Sequence, residues 1–395
     1  MRHIGDDERR HRIARRHGIA PALRADGPES ATRAMTVLHS TEPATVHLSL
    51  FARIDGLTVA DVERALHDDR TLVKQLAMRR TLFVFPRDLL PAAWGSAAAR
   101  VAESEWKRVV KDVVASGLTK DGDAWLERAC TAVLARLAAE PGDSGLPAQQ
   151  LREEVPEMAG TVSISPGTKW GGDVPIGPRV LTQLGCRAEI VRGRNAGHWR
   201  VSRPAWTLMP RWLGEEPAPL DADEGYAELT RRWLATFGPA TTADLQWWLG
   251  STVTAARRAL GDVGAVEVSL DGGATGWVLA DDVDEVDPVE PWAALLPVLD
   301  PTVMGWKERA FFLGEHGPQL FDRNGNAGTT AWWNGRLVGG WSQDEGGRVV
   351  VAPLEDLSPE ATAALDAEAG RLTAWLDGVR VGSVYQSALM KSRAV

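Results

Sequence analysis

The sequence predicts an α+β fold in which tandem helical units, each closed by a β-hairpin, precede a β-rich C-terminal domain. Two stretches, 116–212 and 222–282, each contain three segments with apolar residues at helical spacing, followed by two short strands around a glycine turn. Three helices followed by a hairpin is the order of the winged-helix motif, a helix-turn-helix variant. Beyond these stretches, short apolar runs separated by turn residues indicate strands. We therefore predict winged-helix units at 1–115, 116–212 and 222–282, and a β-rich domain with a final helix at 283–395.

The first unit combines helices with one strand. Proline is favoured in the first helical turn, so Pro43 begins a helix that runs to Ile54. Thr58 is a good N-cap for the next helix, which ends at His67. The remaining predicted elements are a charged helix over Arg9–His17 that ends at Gly18, a helix over Leu72–Met78, and a strand over Arg80–Pro86 that proline stops.

The second unit ends in a basic hairpin. Asp123 is placed to cap its first helix, whose apolar residues recur at helical spacing to Leu137. The other predicted elements are helices over Pro147–Glu154 and Pro178–Leu184 and strands over Arg187–Val191 and His198–Ser202. The hairpin region carries one acid, Glu189, against five arginines: Arg187, Arg192, Arg194, Arg200 and Arg203.

The third unit repeats the helix and hairpin order more cleanly. Either Thr241 or Thr242 caps its second helix, and Gly250 ends that helix. Its other elements are helices over Glu224–Phe237 and Thr252–Leu260 and strands over Val266–Leu270 and Gly276–Ala280. In the C-terminal domain we predict strands over Ala294–Leu299, Thr329–Trp333, Leu337–Trp341 and Arg348–Ala352, a hairpin turn at Asn334-Gly335, and a helix from Ser358 to Leu376.

Composition excludes several classes of protein. The chain has 395 residues, of which 44% are hydrophobic and 25% charged, which is ordinary for a globular protein. Cys130 and Cys186 are its only cysteines, so neither a disulfide framework nor a CxxC zinc site can form. The charged start and the lack of a long apolar run argue against a signal peptide or a membrane span. We expect a cytoplasmic protein, and the scattered histidines predict no metal site.

Net charge is −9, which argues against indiscriminate binding of nucleic acid. The distribution matters more than the sum, because basic residues concentrate near the N-terminus, at Arg79-Arg80, and in the hairpin of the second unit.

The candidate catalytic residues, His39 and Thr41, lie just before the helix that begins at Pro43. Side chains two residues apart project to the same side of an extended backbone, so this pair can handle one water molecule. The adjacent carboxylate, Glu42, is an alternative general base. Two structural roles compete with catalysis: His39 hydrogen-bonding a backbone carbonyl, and Thr41 capping the following helix.

Several motifs, in order along nearly the whole chain, make the sequence resemble the winged-helix DNA-binding proteins that include the AlkZ/YcaQ-like DNA glycosylases. They are Leu38-His39-Ser40-Thr41-Glu42-Pro43 with the helix to Arg53, Met78 to Val84, Phe237 to Asp244 with Trp247 to Gly250, Leu295 to Pro301, and Asn334 to Trp341.

The resemblance implies a C-shaped row of winged-helix motifs that grips duplex DNA, with a β-rich C-terminal domain. It also implies excision of alkylated bases, crosslinked ones included. The family's catalytic motif, Gln–apolar–Gln or Gln–apolar–Asp, falls in the turn that here reads His39-Ser40-Thr41, so both polar positions are kept with different residues. In this role His39 would accept a proton from the attacking water and Thr41 would orient that water.

DNA-binding candidates follow from the basic segments. Arg192, Arg194 and Arg200 lie around the glycines of the hairpin, where the backbone can approach phosphates or a minor groove closely; the alternative is a solvated basic hairpin. For five other basic residues, a DNA contact and a structural role are equally open: Arg53, Arg79, Arg80, Arg179 and Lys169. The structural role of Arg53 would be an ion pair with Asp55 or Glu63, and Lys169 lies beside Trp170 in a Gly-rich loop.

The sequence thus predicts a monomeric DNA glycosylase without metal or cofactor, acting on double-stranded DNA. No lysine is placed as an evident Schiff-base nucleophile, so water is the expected attacker at C1′ and the enzyme is monofunctional. The alternatives are a non-catalytic DNA-binding protein or transcriptional regulator of the same fold, and a helical scaffold that no longer binds DNA. Asp300 is expected to cap a turn.

Overall fold

The computed structural model describes residues 1–164 and 171–393 and has a mixed α+β fold. Its first part is largely helical around a three-stranded sheet with strand order β2-β4-β3. The elements are β1 (His3–Ile4), α1 (Asp6–Arg16), α2 (Pro28–Ala34), β2 (Leu38–His39), α3 (Pro43–Arg53), α4 (Val59–Glu63), β3 (Leu72–Ala77), β4 (Thr81–Pro86), α5 (Leu90–Ala93) and α6 (Ala99–Ala115).

The predicted helix over Leu72–Met78 is wrong, because Leu72–Ala77 is strand β3, paired antiparallel with β4. The residues Leu, Lys, Gln and Ala favour helices by intrinsic propensity. Here pairing with β4 overrides that preference: the side chains of Val73, Gln75 and Ala77 are buried, while those of Lys74 and Leu76 between them are half-buried. Such an alternation with period two is the pattern of a strand with one face on the core.

The second part contains helices and the basic hairpin. Its elements are α7 (Gly122–Ala139), β5 (Leu146–Pro147), α8 (Ala148–Glu154), β6 (Thr161–Ile164), β7 (Gly172–Pro175), α9 (Gly177–Cys186), β8 (Ile190–Asn195), β9 (Pro204–Leu208) and α10 (Met209–Leu213). Asp121, not Asp123, caps α7.

The hairpin also differs from prediction, because its second strand is Pro204–Leu208 and not His198–Ser202. The side chain of Asn195 bonds Val201 O and the Arg203 amide, which shapes residues 196–203 into a broad turn.

The third part follows the predicted order of helices and strands. Its elements are α11 (Ala222–Phe237), α12 (Thr242–Leu249), α13 (Val253–Asp262), β10 (Val266–Leu270) and β11 (Thr275–Val278). Thr241 caps α12 in a capping box with Asp244, and Gly250 ends it in the left-handed conformation. The N-terminal strand β1 pairs parallel to β10, so the start of the chain completes this sheet.

The C-terminal part holds a four-stranded antiparallel sheet in the order β12-β13-β14-β15, against which the final long helix packs. Asn334 and Gly335 both have positive φ and form the predicted hairpin turn. The elements are β12 (Ala293–Leu296), α14 (Pro301–Met304), α15 (Ala310–Leu313), α16 (Gly317–Leu320), β13 (Thr330–Trp333), β14 (Arg336–Gln343), β15 (Val349–Pro353), α17 (Pro359–Leu376) and α18 (Ala388–Arg393).

Two main hydrophobic cores organise these parts. The larger one joins side chains from the first, third and C-terminal parts, for example Phe85, Trp233 and Trp332. The second part has its own core, which also takes in Val109 and Val113 of α6. Its last strands and helix also reach the larger core, through Val191 and Trp212. Among the described residues, every helix is too short or too polar to traverse a lipid bilayer.

A buried ion pair ties α3 to the C-terminal part. Arg53 and Asp300 are both fully buried, and two guanidinium N–H groups donate to the two carboxylate oxygens at 2.8 Å each. Ser49 Oγ donates to the same carboxylate at 2.7 Å, and Arg53 also donates to Thr302 Oγ1 at 2.8 Å. Burial alone raises the pKa of Asp300, but the charge and hydrogen bonds of Arg53 outweigh it and the pKa is lowered. Arg53 is therefore a structural residue and is not at the surface for a phosphate contact.

Asp300→Asn should destabilise the protein strongly, because it leaves the Arg53 guanidinium buried without a counter-ion. We expect a loss of about 3–5 kcal/mol in the free energy of unfolding, measured by urea denaturation at pH 7. Arg348→Gln, which breaks an exposed ion pair with Asp344, is the control and should cost less than about 1 kcal/mol. Equal losses in the two variants would contradict a structural role for the buried pair.

Candidate functional site

The turn 39–41 starts from the edge of the first sheet. His39 is the last residue of β2 and pairs with Phe83 of β4, and the Ser40 amide then donates to Leu82 O at 2.9 Å. The chain bends at Thr41 and enters α3, whose N-cap is Glu42. His39 is 5% exposed and Ser40 3% exposed, whereas Thr41 lies open to solvent. The sheet thus holds the His39 ring at the bottom of the turn and leaves the Thr41 hydroxyl at its mouth.

The His39 ring is uncharged at neutral pH. Burial lowers the pKa of His39 to about 3, the positive charges of Arg79 and Arg309 act in the same direction, and Asp300 opposes them. The ring packs on Phe83 at 4.6 Å between centroids. Nδ1 is buried and has no hydrogen-bond partner in the described part of the chain.

The structure does not show the two hydrogen-bonding roles that compete with catalysis at this turn, at His39 Nδ1 or at Thr41. Since the buried Nδ1 of His39 has no partner within residues 1–164 and 171–393, that nitrogen does not bond a backbone carbonyl. Thr41 is not the cap of α3, because the N-cap position belongs to Glu42. Glu42 accepts hydrogen bonds from Ser383 Oγ at 2.9 Å and from the Val384 amide at 2.7 Å, and burial raises its pKa. His39 and Thr41 therefore remain the candidates for chemistry.

Arg79 and Arg80 form an unusual turn between β3 and β4. Both have left-handed backbone conformations, with φ of 54° and 59°, which non-glycine residues seldom adopt and which concentrate at functional sites. The Arg79 guanidinium carbon lies 3.9 Å from the ring centroid of Trp247, on α12. That of Arg309 lies 5.2 Å from the same ring. Three parts of the chain thus meet beside His39.

A basic cleft next to this turn was not predicted. Its lining includes Arg79, Arg80 and the C-cap Gly250, together with three exposed cations of α6 and the exposed acid Glu103, which pairs with Lys107, and its volume is about 440 Å³. Glu105, which is buried, bridges two of the cations, with Arg80 at 2.8 Å and Arg108 at 3.2 Å. The residues that sequence reasoning missed are Arg100, Lys107 and Arg108. Their spacing of seven and eight residues places them on one helical face, which was the available signal.

The hairpin arginines have separate environments. Arg192 is half-buried above Trp206, at 5.2 Å from the ring, and burial lowers its pKa. Arg194 pairs with Asp68 at 2.7 Å. Arg200 is exposed and lines a cavity of about 300 Å³ together with Glu42.

The hairpin turn reaches back to the first part of the chain. Trp199 packs on His47 of α3 at 5.0 Å and on Trp375 of α17 at 5.6 Å between ring centroids. His47 is buried and bonds Glu63 at 3.0 Å, so it is a packing residue. This contact brings Arg200 close to the N-terminal end of α3.

The other sequence candidates lie apart from the turn. Arg179 is half-buried and forms a salt bridge with Asp112. Lys169 and Trp170 lie outside the described residues. Within the described ranges, no three His, Cys, Asp or Glu side chains converge as metal ligands.

Comparison with known proteins places this arrangement in a family. The family described as DNA glycosylase AlkZ-like matches residues 32–375 of the chain. Among solved structures, the fold is similar to that of the Streptomyces sahachiroi DNA glycosylase AlkZ, with a TM-score of 0.72 and 19% sequence identity over 95% of this chain and 98% of that one. No curated protein matches the sequence.

The buried His39 predicts a specific dependence of stability on pH. Its pKa is about 3 in the folded state and about 6.5 when unfolded, so the unfolded chain binds the proton first. Its contribution is complete above about pH 6.5 and declines as pH falls towards 3, by about 1.4 kcal/mol per pH unit. In urea titrations from pH 7 to 4.5, His39→Asn should show a shallower decline than the wild type. Parallel declines would contradict burial of the ring.

Proposed function

The chain belongs to the AlkZ-like DNA glycosylase family, and we propose that it hydrolyses the N-glycosidic bond of alkylated bases in duplex DNA. The observation that supports this most is the His39–Thr41 turn, where a buried, uncharged imidazole lies beneath the exposed Thr41 and beside two arginines. We also propose that units 1–115, 116–212 and 222–282 act as winged-helix motifs and that 283–395 braces them. On this proposal the protein is a cytoplasmic monomer that uses neither metal nor cofactor.

The proposed reaction starts from a base with a good leaving tendency. An N7-alkylated guanine is cationic, so breaking its bond to C1′ returns the electron pair to the ring and releases a neutral base. The sugar develops oxocarbenium character, and the oxygen of a water molecule bonds to C1′. Little acid catalysis is needed at the leaving group, because the alkyl group has already supplied the positive charge.

In this reaction the pair at 39 and 41 positions the water. A histidine with a pKa of about 3 is a weak base, so His39 accepts a hydrogen bond from the water and does not remove its proton early. The Thr41 hydroxyl orients the same water from the mouth of the turn. The proton leaves for solvent once the new C–O bond has formed. Geometry, and not basicity, is then what the turn contributes.

Phosphate contacts position the duplex. We assign them to the cleft cations Arg80, Arg100, Lys107 and Arg108, which are exposed, and to Arg200 on the other side of α3. Arg192 stays a secondary candidate, since it is half-buried on Trp206. Arg194 pairs with Asp68, just as Arg80, Lys107 and Arg108 pair with Glu105 or Glu103, so each of these exchanges an acid for phosphate on binding.

A second candidate function is a DNA-binding protein or transcriptional regulator without catalysis. The low pKa of His39 favours it, because a residue that cannot hold a proton at neutral pH is a poor substitute for a catalytic base. The two functions share the DNA-binding surface and differ only in base release.

An excision assay separates them. With duplex DNA carrying N7-methylguanine, the wild type should release the base in single-turnover reactions, and His39→Ala and Thr41→Ala should each be at least about tenfold slower because the water loses a partner. Arg348→Gln, remote from the turn, is the control. Absence of release by the wild type from both methylated and bulky adducts, with band shifts retained, would establish the regulator instead.

The pH profile tests the state of His39 directly. Because the pKa of His39 is about 3, the single-turnover rate should stay constant from pH 8 to pH 5.5. An ordinary histidine base, with a pKa of about 6.5, would make the rate fall about tenfold between pH 8 and pH 5.5. Such a fall, absent in His39→Gln, would contradict the positioning role.

A further inference from the structure

We propose that Arg79, Arg309 and Trp247 form a binding site for a phosphodiester group, which fixes the DNA backbone next to the His39 turn. The proposal rests on the proposed function for the identity of the ligand, since a DNA backbone is the anion that such a protein meets. It adds a positioning site that shares Arg79 with the basic cleft and whose two cations act on His39 through their charge.

The first observation is that Arg79 and Arg309, which are both half-buried, have no counter-ion among the described residues. Nε and Nη2 of Arg79 are buried without any hydrogen-bond partner among the described residues. The Nε of Arg309 donates a hydrogen bond to Trp306 O at 2.7 Å. Across residues 1–164 and 171–393, neither guanidinium has a carboxylate oxygen within 4.0 Å.

The nearby acid is already occupied. Asp244 receives hydrogen bonds from the Thr241 hydroxyl and amide and from the amides of Lys307 and Glu308, all at 2.8–3.0 Å. Its carboxylate is thus fully used by the cap of α12 and by the loop that leads to Arg309. By contrast, the neighbouring Arg80 is paired with Glu105.

Both guanidinium groups stay charged despite this environment. Burial lowers the pKa of Arg79 to about 10, and the charge of Arg309 adds to the effect. Burial lowers the pKa of Arg309 to about 10 as well, while Asp244 opposes the change. Two like charges that are desolvated together are unfavourable until an anion joins them. The protein keeps that arrangement in the free state, so an external anion is the missing partner.

The backbone is built to hold these groups in place. The left-handed turn at Arg79-Arg80 directs the Arg79 side chain over Trp247, and Gly250 permits the approach, since a Cβ there would lie 3.0 Å from Arg79 N. The Trp247 ring makes cation–π contacts with both cations, and Arg309 also lies 4.7 Å from the ring centroid of Phe321. Rigid placement of this kind, at the cost of backbone strain, is typical of a ligand site.

The chemistry selects a phosphodiester. Planar guanidinium groups bind phosphate oxygens bidentately, and two of them can hold both free oxygens of one linkage. The double positive charge rejects a cationic alkylated base, so the base lies on the Thr41 side of the turn and the backbone on the arginine side. Arg79 also lines the basic cleft, so the bound strand continues directly along α6.

Binding measurements on undamaged duplex DNA test the site without any need for excision. Arg79→Gln and Arg309→Gln should each lower the slope of log Kd against log salt by about one and weaken binding in low salt, whereas Arg79→Lys should keep the slope. The control is Arg348→Gln.

Thermal unfolding of the same variants separates a binding role from a structural one: loss of an unpaired charge should leave Tm unchanged or raise it. A fall of several degrees in Tm with an unchanged salt slope would show that the stack on Trp247 is structural and overturn the proposal.

A scan with single methylphosphonate linkages locates the contact. Replacing one charged linkage near the lesion should weaken binding to the wild type, and Arg79→Gln should lose sensitivity at that same linkage. Equal sensitivity of wild type and variant at every linkage would overturn the site. A linkage-specific effect without base release would refute the proposed glycosylase activity and leave the phosphodiester site standing, so the two failures are distinguishable.

Discussion

The buried ion pair between Arg53 and Asp300 is the interaction on which the placement of the candidate site depends. It fastens the last turn of α3 to the start of α14, and α3 carries the His39–Thr41 turn at its other end. His17 extends the network, because its ring bonds Thr302 Oγ1 at 3.0 Å and Thr236 O at 3.2 Å. The first, third and C-terminal parts of the chain are therefore held at one point. Buried polar groups can be satisfied in only one arrangement, which gives the junction its specificity.

That junction explains how distant residues come to share one site. Arg79 comes from the turn after β3, Trp247 from α12 and Arg309 from the loop before α15, yet all three lie beside His39. A shift of the C-terminal part relative to α3 would separate them. The large shared core supplies most of the burial, and the ion pair fixes the register between its parts.

The distribution of paired and unpaired charge carries more information than the net value of −9. Acids neutralise many of the arginines: Glu105 pairs with Arg80 and Arg108, Asp68 with Arg194, and Asp112 with Arg179. Arg79 and Arg309 are left without an acid in the described ranges, next to a histidine that burial keeps neutral. Under the proposed function, this site attracts the DNA backbone by charge, and bond breaking relies on the leaving tendency of a cationic base.

The sequence by itself determined most of the local elements and the position of the candidate turn. Helix starts, helix caps and tight turns depend on residues only a few positions apart, so local chemistry is enough to place them. Examples are Pro43, Thr58, the Thr241–Asp244 capping box, Gly250 and the Asn334-Gly335 turn. Only the tertiary structure decided that Leu72–Ala77 is a strand, because its partner β4 overrides helix propensity. It alone paired Arg53 with Asp300 and assembled Arg79 with Arg309, since residues more than 200 positions apart have no local signal that joins them. The same holds for the pKa of His39, which burial sets and which no sequence pattern encodes.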